Sequence, residues 1–254
     1  MEFNQDLLID IAKKAGSEIL EIYNDPNKFN VVDHKADDSP LTLADKASHQ
    51  IIARELENAY PEVPIISEES EVPDYKVRRE YNYYFLIDPL DGTKEFINRN
   101  GQFTVNIAVI KKSKPIIGVV YTPVSDELYF GELGVGAFKL MANIKKELAV
   151  NNKKGNRIAV RSKSHASPEE EGVLEKYDVV DSISVGSSLK FCMVAEGKAD
   201  VYYRHGPTME WDTAAGQAVV EAAGGSVYRG TGPEMFSYNK ENLLNSSFLC
   251  LGFD

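Results

Sequence analysis

The spacing of apolar residues changes along this chain from a helical to a strand pattern, and this change restricts the fold most. Residues 4–23 place apolar side chains at helical spacing, and a second helical segment begins at Thr42 and ends before Pro61. Short apolar strands separated by Gly, Pro, Asn and Asp are then predicted at Val63–Ser67, Tyr83–Asp88, Phe103–Ile110, Pro115–Tyr121 and Glu127–Phe130. Helices beside short strands predict a layered α/β architecture.

The second half of the chain repeats this mixture after the basic, Asn-rich stretch Asn151–Asn156. Helices are predicted near Ser187 and from about Asp212 to Ala223. Strands are predicted at Arg157–Arg161, Asp178–Val185, Asp200–Tyr203, Ser226–Tyr228 and Ser247–Gly252. We therefore expect an α+β layered fold in two halves, residues 1–145 and residues 146–254, with ligands bound in the cleft between them.

The charge balance restricts the ligands that the protein can bind. The 254 residues include 28 Lys and Arg against 39 Asp and Glu, a net charge of −11. Such an excess of acid argues against a nucleic-acid partner. A small anionic ligand remains compatible with it, because divalent cations held by carboxylates become the largest local charges.

The composition also indicates a compartment. Cys192 and Cys250 have neither metal-ligand nor disulfide-framework spacing, which suits a reducing environment. The apolar runs are far shorter than the ~20 residues that cross a bilayer. We expect a cytoplasmic protein with no integral membrane segment.

The string Asp88-Pro89-Leu90-Asp91-Gly92-Thr93 carries the densest chemistry of the sequence. Two carboxylates where a buried strand ends can converge on one point, and oxygen ligands of this kind favour Mg²⁺ or Mn²⁺. The backbone N–H groups of Gly92 and Thr93 can then stabilise an anion. The alternative is an Asx-turn that ends the strand, with Gly92 supplying a positive φ.

Three further acids strengthen the metal interpretation, although each has a simpler explanation. Glu68 follows a short apolar strand and could belong to a solvated loop. Asp212 precedes a helix of small residues and could be its N-cap. Asp45 stands three residues after Thr42 and could complete a capping box. Capping is compatible with catalysis, since anions and metals also gather at helix starts.

These motifs together resemble a known family. Glu68, DPLDGT and WDTAAG, with SPLTLAD upstream, are similar to the lithium-sensitive, Mg²⁺-dependent phosphatases related to inositol monophosphatase. The strings DPLDGTKEF, NGQFTVNIAVI, GSSLKFCMVAEGKAD and WDTAAGQAVVEAAGG resemble the bacterial 3′(2′),5′-bisphosphate nucleotidases of that family. The resemblance extends from the first helix to about Gly225. It implies an alternating αβαβα sandwich and a hydrolase that lithium inhibits.

The resemblance also implies roles for individual residues. Two or three Mg²⁺ ions, with Mn²⁺ as a substitute, would be held by Glu68, Asp88, the carbonyl of Leu90, Asp91 and Asp212. Asp45 and Thr93 would take the proton from the attacking water. Substrate contacts are implied for Glu68, Leu90, Asp91, Gly92, Thr93 and Asp212.

The nucleotide would be bound by residues of the second half. His165, Ser187, Lys190 and Arg204 are the residues that the resemblance implies for the base, the ribose and a second phosphate. Ser187 and Lys190 lie one helical turn apart, so both can reach one phosphate. Lys163 departs from the Arg-Ser-His order of similar proteins. For Lys190 and Arg204 the alternative is an ordinary solvated charge.

Three functions are weighed. The first is Mg²⁺-dependent hydrolysis of adenosine 3′,5′-bisphosphate to AMP and phosphate in nucleotide recycling and sulfur assimilation, with 3′-phosphoadenosine 5′-phosphosulfate as a further substrate. The second is an inositol or sugar monophosphatase, and the third is a nucleotide-binding regulator without catalysis. The basic pair Lys190 and Arg204 favours the first, because a monophosphate has no second phosphate to bind. A monomer and a homodimer both remain open, as does peripheral association with the inner membrane.

Overall fold

The computed structural model describes residues 1–34, 40–142, 144–162 and 168–253. Helices α1 to α8 in this part of the chain span Gln5–Asn24, Pro26–Phe29, Leu43–Ala59, Tyr75–Arg78, Thr93–Ile97, Pro168–Leu174, Leu189–Ala195 and Glu210–Ala222. Strands β1 to β14 span Val32–His34, Pro40–Thr42, Ile65–Ser67, Tyr83–Asp91, Thr104–Lys111, Lys114–Thr122, Glu127–Glu132, Gly136–Met141, Ile144–Leu148, Arg157–Ser162, Val179–Val185, Val201–Arg204, Ser226–Arg229 and Phe248–Leu251.

The strands form two large sheets and one short pair. The first sheet has seven strands in the order β3-β4-β5-β6-β7-β8-β9, antiparallel throughout except for the parallel pair β3 and β4. The second has five strands in the order β11-β10-β12-β14-β13, with β10 parallel to both of its neighbours. Strands β1 and β2 pair separately ahead of α3.

Helices and sheets alternate in five layers. Helices α1 and α3 cover one face of the seven-stranded sheet, α7 and α8 lie between the two sheets, and α6 packs on the outer face of the five-stranded sheet. Strand β4 is buried on both faces, because Phe85 enters the core under α1 while Leu86 enters the core shared with α8. This arrangement confirms the expected layered α/β fold.

Helix α8 lies unusually close to the seven-stranded sheet. A Cβ atom on Gly118 of β6 would lie 2.2 Å from the Ala215 carbonyl oxygen, and one on Gly131 of β7 would lie 2.5 Å from the Cα atom of Val219. The two glycines therefore let the helix that carries Asp212 approach the strands of the first half.

Several elements differ from the sequence predictions. Strands β8 and β9 and helix α6 were not among the predicted elements. Strand β9 reads Ile-Lys-Lys-Glu-Leu and is largely exposed, so it has no apolar period. Helix α8 begins at Glu210, two residues earlier than expected, so Asp212 lies in its first turn and not at its N-cap. The division at residue 145 stays a prediction, and that residue lies inside β9.

Candidate active site

An irregularity in β4 places two carboxylates on the same face of the sheet. Residues three apart in a regular strand point to opposite faces. Here Asp88 pairs with Asn106 and Asp91 pairs with Thr104, so three steps along β4 match two steps along β5. Such a bulge redirects the side chains that follow it. Both acids therefore face the helices that lie between the sheets.

Three carboxylates from three different elements converge beside this bulge. Single oxygen atoms of Glu68, Asp88 and Asp212 all lie within 4.8 Å of one another. Glu68 follows the end of β3, Asp88 lies in β4, and Asp212 lies in the first turn of α8, where its Oδ2 accepts from the Met209 N–H at 2.8 Å. The structure thus brings together residues that are 144 positions apart (212 − 68).

The electrostatics of this cluster favour a bound cation. Burial raises the pKa of Asp88 well above its ordinary value, and the charges of Glu68, Asp91, Asp212 and Asp45 raise it further. The pKa of Asp212 is raised in the same way, first by burial and then by Asp91 and Glu68. An all-oxygen donor set with several negative charges suits Mg²⁺ or Mn²⁺, so the residues present fit the ion that the resemblance implies.

The Asx-turn interpretation of this segment is also correct. Asp88 Oδ1 accepts from the Leu90 N–H at 3.0 Å, which turns the chain so that Asp91 and Gly92 follow at the cleft. Gly92 has a φ of 92°, and a Cβ atom there would lie 2.7 Å from the Ser187 hydroxyl oxygen. Glycine is therefore required at the start of α5, where the N–H groups of Gly92 and Thr93 begin the helix.

Asp45 divides its two carboxylate oxygens between structure and site. Oδ2 accepts from the N–H of Thr42 at 2.8 Å and from its hydroxyl at 2.5 Å, which completes the expected capping box of α3. Oδ1 accepts from the Thr93 hydroxyl at 3.2 Å. Burial is the main cause of the raised pKa of Asp45. The predicted pair is therefore in contact, and its carboxylate is 2% exposed.

One cleft of about 500 Å³ extends from the acidic cluster toward two basic side chains. The predicted site residues in its lining are Glu68, Asp88, Leu90, Asp91, Gly92, Thr93, Ser187, Lys190, Arg204 and Asp212. His165 and Lys163 lie outside the described residues.

Lys190 and Arg204, two of the basic residues that line this cleft, are buried, and their polar contacts are neutral carbonyl oxygens. Lys190 Nζ donates to the Ser187 carbonyl at 2.6 Å and lies 3.5 Å from the Val185 carbonyl, which leaves one N–H. Arg204 donates to the Pro207 carbonyl at 3.3 Å, and its buried Nε has no hydrogen-bond partner among the described residues. Burial, reinforced by Arg204, lowers the pKa of Lys190 to about 8. The alternative of solvated charges is wrong for both residues.

Ser187 has a different environment from the one expected. It has a φ of 47°, and its hydroxyl lies 2.7 Å from the Gln102 carbonyl oxygen and 3.0 Å from the Asp91 carbonyl oxygen. The side chain therefore links the segment before α7 to the backbone of Asp91 and Gln102.

Sequence reasoning missed several residues of the site. Thr104, Asn106 and Ser188 are buried around the Asp91 carboxylate, and Glu95 lines the cleft near Lys190. The only signal in the sequence was that Thr104 and Asn106 interrupt the apolar strand after Phe103 with two polar residues at strand spacing. Glu95 lies two residues beyond Thr93, and the string DPLDGTKEF contained it without a role being assigned to it.

The fold and the site together describe a five-layered α/β protein with an acidic cluster beside strands β3 and β4 of the seven-stranded sheet. The sequence profile of the Inositol monophosphatase family matches residues 3–249. The chain is 44% identical to the 3′(2′),5′-bisphosphate nucleotidase CysQ of Escherichia coli strain K12, over 96% of this chain and 97% of that protein. Its identity to CysQ of Haemophilus influenzae is 35%, over 98% and 92% of the two chains.

Solved structures agree with these sequence relatives. The crystal structure of CysQ from Bacteroides thetaiotaomicron, a bacterial member of the inositol monophosphatase family, matches with a TM-score of 0.86 and 44% identity over 98% of this chain and 97% of that one. An inositol monophosphatase from Anabaena matches with a TM-score of 0.78 at 24% identity, over 98% and 90%, which supports the fold alone. This chain belongs to the inositol monophosphatase family.

The resemblance inferred from the motifs is therefore confirmed over nearly the whole chain. No helix among the described residues is long and apolar enough to cross a membrane.

Proposed function

We propose that this protein is a Mg²⁺-dependent 3′(2′),5′-bisphosphate nucleotidase that hydrolyses the 3′-phosphate of adenosine 3′,5′-bisphosphate to give AMP and phosphate. The observation that carries the proposal is the cleft that joins the carboxylate cluster to the buried cations Lys190 and Arg204. Relatives named CysQ 3′(2′),5′-bisphosphate nucleotidase support it at 35–44% identity.

In the reaction, a water oxygen forms a new bond to the 3′-phosphorus while the bond between phosphorus and the ribose 3′-oxygen breaks. Glu68, Asp88, Asp91, Asp212 and the Leu90 carbonyl would hold the Mg²⁺ ions. When bound, these ions would lower the pKa of the attacking water and stabilise the negative charge that develops on the leaving oxygen.

Asp45 and Thr93 would remove the proton from the attacking water. The Thr93 hydroxyl donates to Asp45 Oδ1, so Thr93 can accept a proton from water as it passes its own proton to the carboxylate. A base is most effective when its pKa approaches the working pH, and burial moves the pKa of Asp45 in that direction. The N–H groups of Gly92 and Thr93 would orient the phosphate under attack.

Lys190 and Arg204 would bind the 5′-phosphate at the other end of the cleft. A phosphate there would accept from the remaining N–H of Lys190 and from the buried Nε of Arg204, which has no hydrogen-bond partner in the part of the chain that the structure describes. Charge-assisted hydrogen bonds of this kind are about twice as strong as neutral ones. This second anion subsite favours a bisphosphate over the inositol or sugar monophosphates considered above.

A regulator without catalysis is the least supported alternative. Such a protein has no need for the contact between Asp45 and Thr93 beside a cluster of buried carboxylates, which costs folding free energy in the absence of cations. The two free, buried cysteines fit the reducing cytoplasm that we propose as the location.

Substitution of Lys190 tests the specificity. Lys190→Ala should lower kcat/KM for adenosine 3′,5′-bisphosphate by roughly ten- to hundredfold, because a charge-assisted contact contributes about 1.5–3 kcal/mol. Hydrolysis of inositol 1-phosphate by the same preparation should change little and should keep its Mg²⁺ dependence.

The matched control is Lys198→Ala, because Lys198 lies beyond the other end of α7 with an exposed side chain. This variant should retain both activities. An equal loss on both substrates in Lys190→Ala would contradict the subsite and favour the monophosphatase alternative.

A further inference from the structure

The carboxylate of Asp91 is held through one of its two oxygens by residues that no motif assigned to the site. Asp91 Oδ2 accepts from the Ser188 N–H at 2.6 Å, from the Ser188 hydroxyl at 2.8 Å and from the Asn106 Nδ2 at 3.4 Å. A carboxylate oxygen has about two lone-pair positions. Oδ2 is therefore saturated by protein donors.

The donors are themselves oriented by a buried chain of hydrogen bonds. The Thr104 hydroxyl donates to Asn106 Oδ1 at 3.0 Å, which turns the NH₂ group of Asn106 toward Asp91 and Ser188. Asn106 Nδ2 then donates to the Ser188 hydroxyl oxygen at 2.9 Å. The exposed fractions of Thr104, Asn106 and Ser188 are 0%, 1% and 2%, so water does not compete for these contacts.

The same hydroxyl reaches a second ligand segment. Ser188 Oγ lies 2.8 Å from the Asp212 carbonyl oxygen, in the first turn of α8. The hydroxyl has one proton for two acceptors, and the charged carboxylate is the stronger of the two. Ser188 thus contacts the segments of two proposed metal ligands from the position before α7.

We propose that Thr104, Asn106 and Ser188 are positioning residues for the metal site. They fix Asp91 Oδ2 so that Oδ1 remains the oxygen available to a cation, and they hold the start of α7, which carries Lys190, at a constant distance from the acidic cluster. The proposal rests on the proposed function, because it takes Asp91 to be a metal ligand.

The physical reason for this role is that the hydrogen bonds restrict rotation of the Asp91 carboxylate. Without these donors the carboxylate can rotate, and its charge is no longer balanced by hydrogen bonds before a metal binds. Loss of an outer hydrogen-bond partner of a metal ligand commonly costs about 10- to 100-fold in metal affinity. A purely structural role would lower stability and leave the affinity for metal unchanged.

The test measures Mn²⁺ binding to the metal-free full chain by electron paramagnetic resonance, without substrate. Asp91→Asn first identifies the bound Mn²⁺ that depends on Asp91. Ser188→Ala keeps the backbone N–H and removes only the hydroxyl, and Asn106→Val removes the amide. Each variant should raise the Kd of that Mn²⁺ by about tenfold or more. Thr104→Val should have a smaller effect in the same direction, because it removes only the bond that orients Asn106.

Tyr129→Phe is the matched control. The Tyr129 hydroxyl donates at 2.6 Å to Glu196, just after the end of α7, and so links the same helix to the same sheet without contacting Asp91. This variant should unfold at a lower temperature with its Mn²⁺ affinity unchanged.

Two outcomes would show whether the positioning role alone is wrong or the proposed function as well. An unchanged Mn²⁺ affinity in Ser188→Ala, with the Asp91-dependent Mn²⁺ present, would overturn the positioning role and leave the proposed function intact. If the unsubstituted protein binds no more Mn²⁺ than Asp91→Asn does, both the positioning role and the proposed function are overturned. If Asn106→Val does not fold, Ser188→Ala decides the question, since it removes a single oxygen atom.

Discussion

At the scale of single residues, the site depends on which oxygen of each acid is already engaged. Asp45 uses Oδ2 to cap α3 and directs Oδ1 at Thr93, while Asp91 uses Oδ2 for Ser188. Asp88 Oδ1 accepts from the Leu90 N–H. Each acid thus uses one oxygen for a structural contact, and the proposed chemistry needs only the other, so the structural and chemical explanations of these residues are compatible.

Asp91→Asn tests the metal assignment directly. The change keeps the shape of the side chain and removes a negative charge from the proposed ligand set. We expect kcat for adenosine 3′,5′-bisphosphate to fall by more than the about 10- to 100-fold seen for outer partners of metal ligands. Steady-state rates across a Mg²⁺ titration measure this fall in kcat. A near-normal kcat at any Mg²⁺ concentration would contradict the assignment of Asp91 as a metal ligand.

The lowered pKa of Lys190 predicts that substrate binding depends on pH. Its pKa is lowered from 10.5 to about 8, chiefly by burial, so the ammonium is charged below about pH 8 and loses its charge as the pH rises through that value. The KM for adenosine 3′,5′-bisphosphate should therefore rise above pH 8, while the KM for inositol 1-phosphate should not.

Lys190→Met provides the control for this pH profile. It removes the titrating group, so the KM for the bisphosphate should be higher and independent of pH across the same range. A profile unchanged by the substitution would show that another group titrates near pH 8.

At the scale of elements, the position of α8 decides whether the site can form. Asp212 is contributed by α8, whereas Asp88 and Asp91 lie in the sheet on which the helix packs. The close approach at Gly118 and Gly131 brings these elements together. Any side chain at either glycine has to displace the helix backbone.

Gly118→Ala should therefore lower stability and activity together. Its Cβ atom would lie 2.2 Å from the Ala215 carbonyl oxygen, so α8 must move away from the sheet. Overpacking of this kind costs about 1–3 kcal/mol or more of the free energy of unfolding. Urea denaturation measures the loss, and Mn²⁺ affinity reports the displacement of Asp212.

Gly172→Ala is the control for this substitution, because a Cβ atom on Gly172 in α6 would meet no described atom within 4 Å apart from its chain neighbours and its own helix backbone. It should be neutral, or stabilising by up to about 1 kcal/mol, since alanine favours helix more than glycine does. Equal stability of Gly118→Ala and the unsubstituted protein would mean that the helix tolerates the displacement.

At the scale of the whole molecule, several of the carboxylates behind the net charge of −11 meet in one cluster. The folded state holds several carboxylates together against their mutual repulsion, and bound cations remove this cost. The protein is therefore expected to be more stable with its metal than without it.

Addition of Mg²⁺ to the metal-free protein should raise Tm. A ligand at 100 times its Kd stabilises the folded state by about 2.7 kcal/mol. For a chain of this size that corresponds to roughly 5–10 °C. Differential scanning calorimetry measures the shift, with KCl at equal ionic strength as the control for screening.

Asp88→Asn should raise the Tm of the metal-free protein. It removes a buried charge that four neighbouring acids disfavour, so the variant should melt above the unsubstituted protein in EDTA and gain little from Mg²⁺. An identical rise in Tm with KCl and with MgCl₂ would contradict a specific metal site.

The sequence by itself determined the types of most elements, the layered fold, the family and the acids of the site. These features are local, because the spacing of apolar residues indicates a helix or a strand over a short stretch, and the residues from Asp88 to Thr93 are consecutive in the chain. The exposed strand β9 escaped prediction for the same reason, since its solvated side chains carry no apolar period.

Only the tertiary structure decided how the site is completed. The bulge in β4 and the burial of Lys190 depend on how neighbouring elements pack. The hydrogen bonds that join Ser188 to Asp91 and to Asn106 connect residues that lie 97 and 82 positions apart in the chain. No local pattern encodes such contacts, because they exist only once the two sheets and α7 have packed together. Burial and hydrogen bonding then assign to Ser188 and Lys190 environments that their residue types alone do not specify.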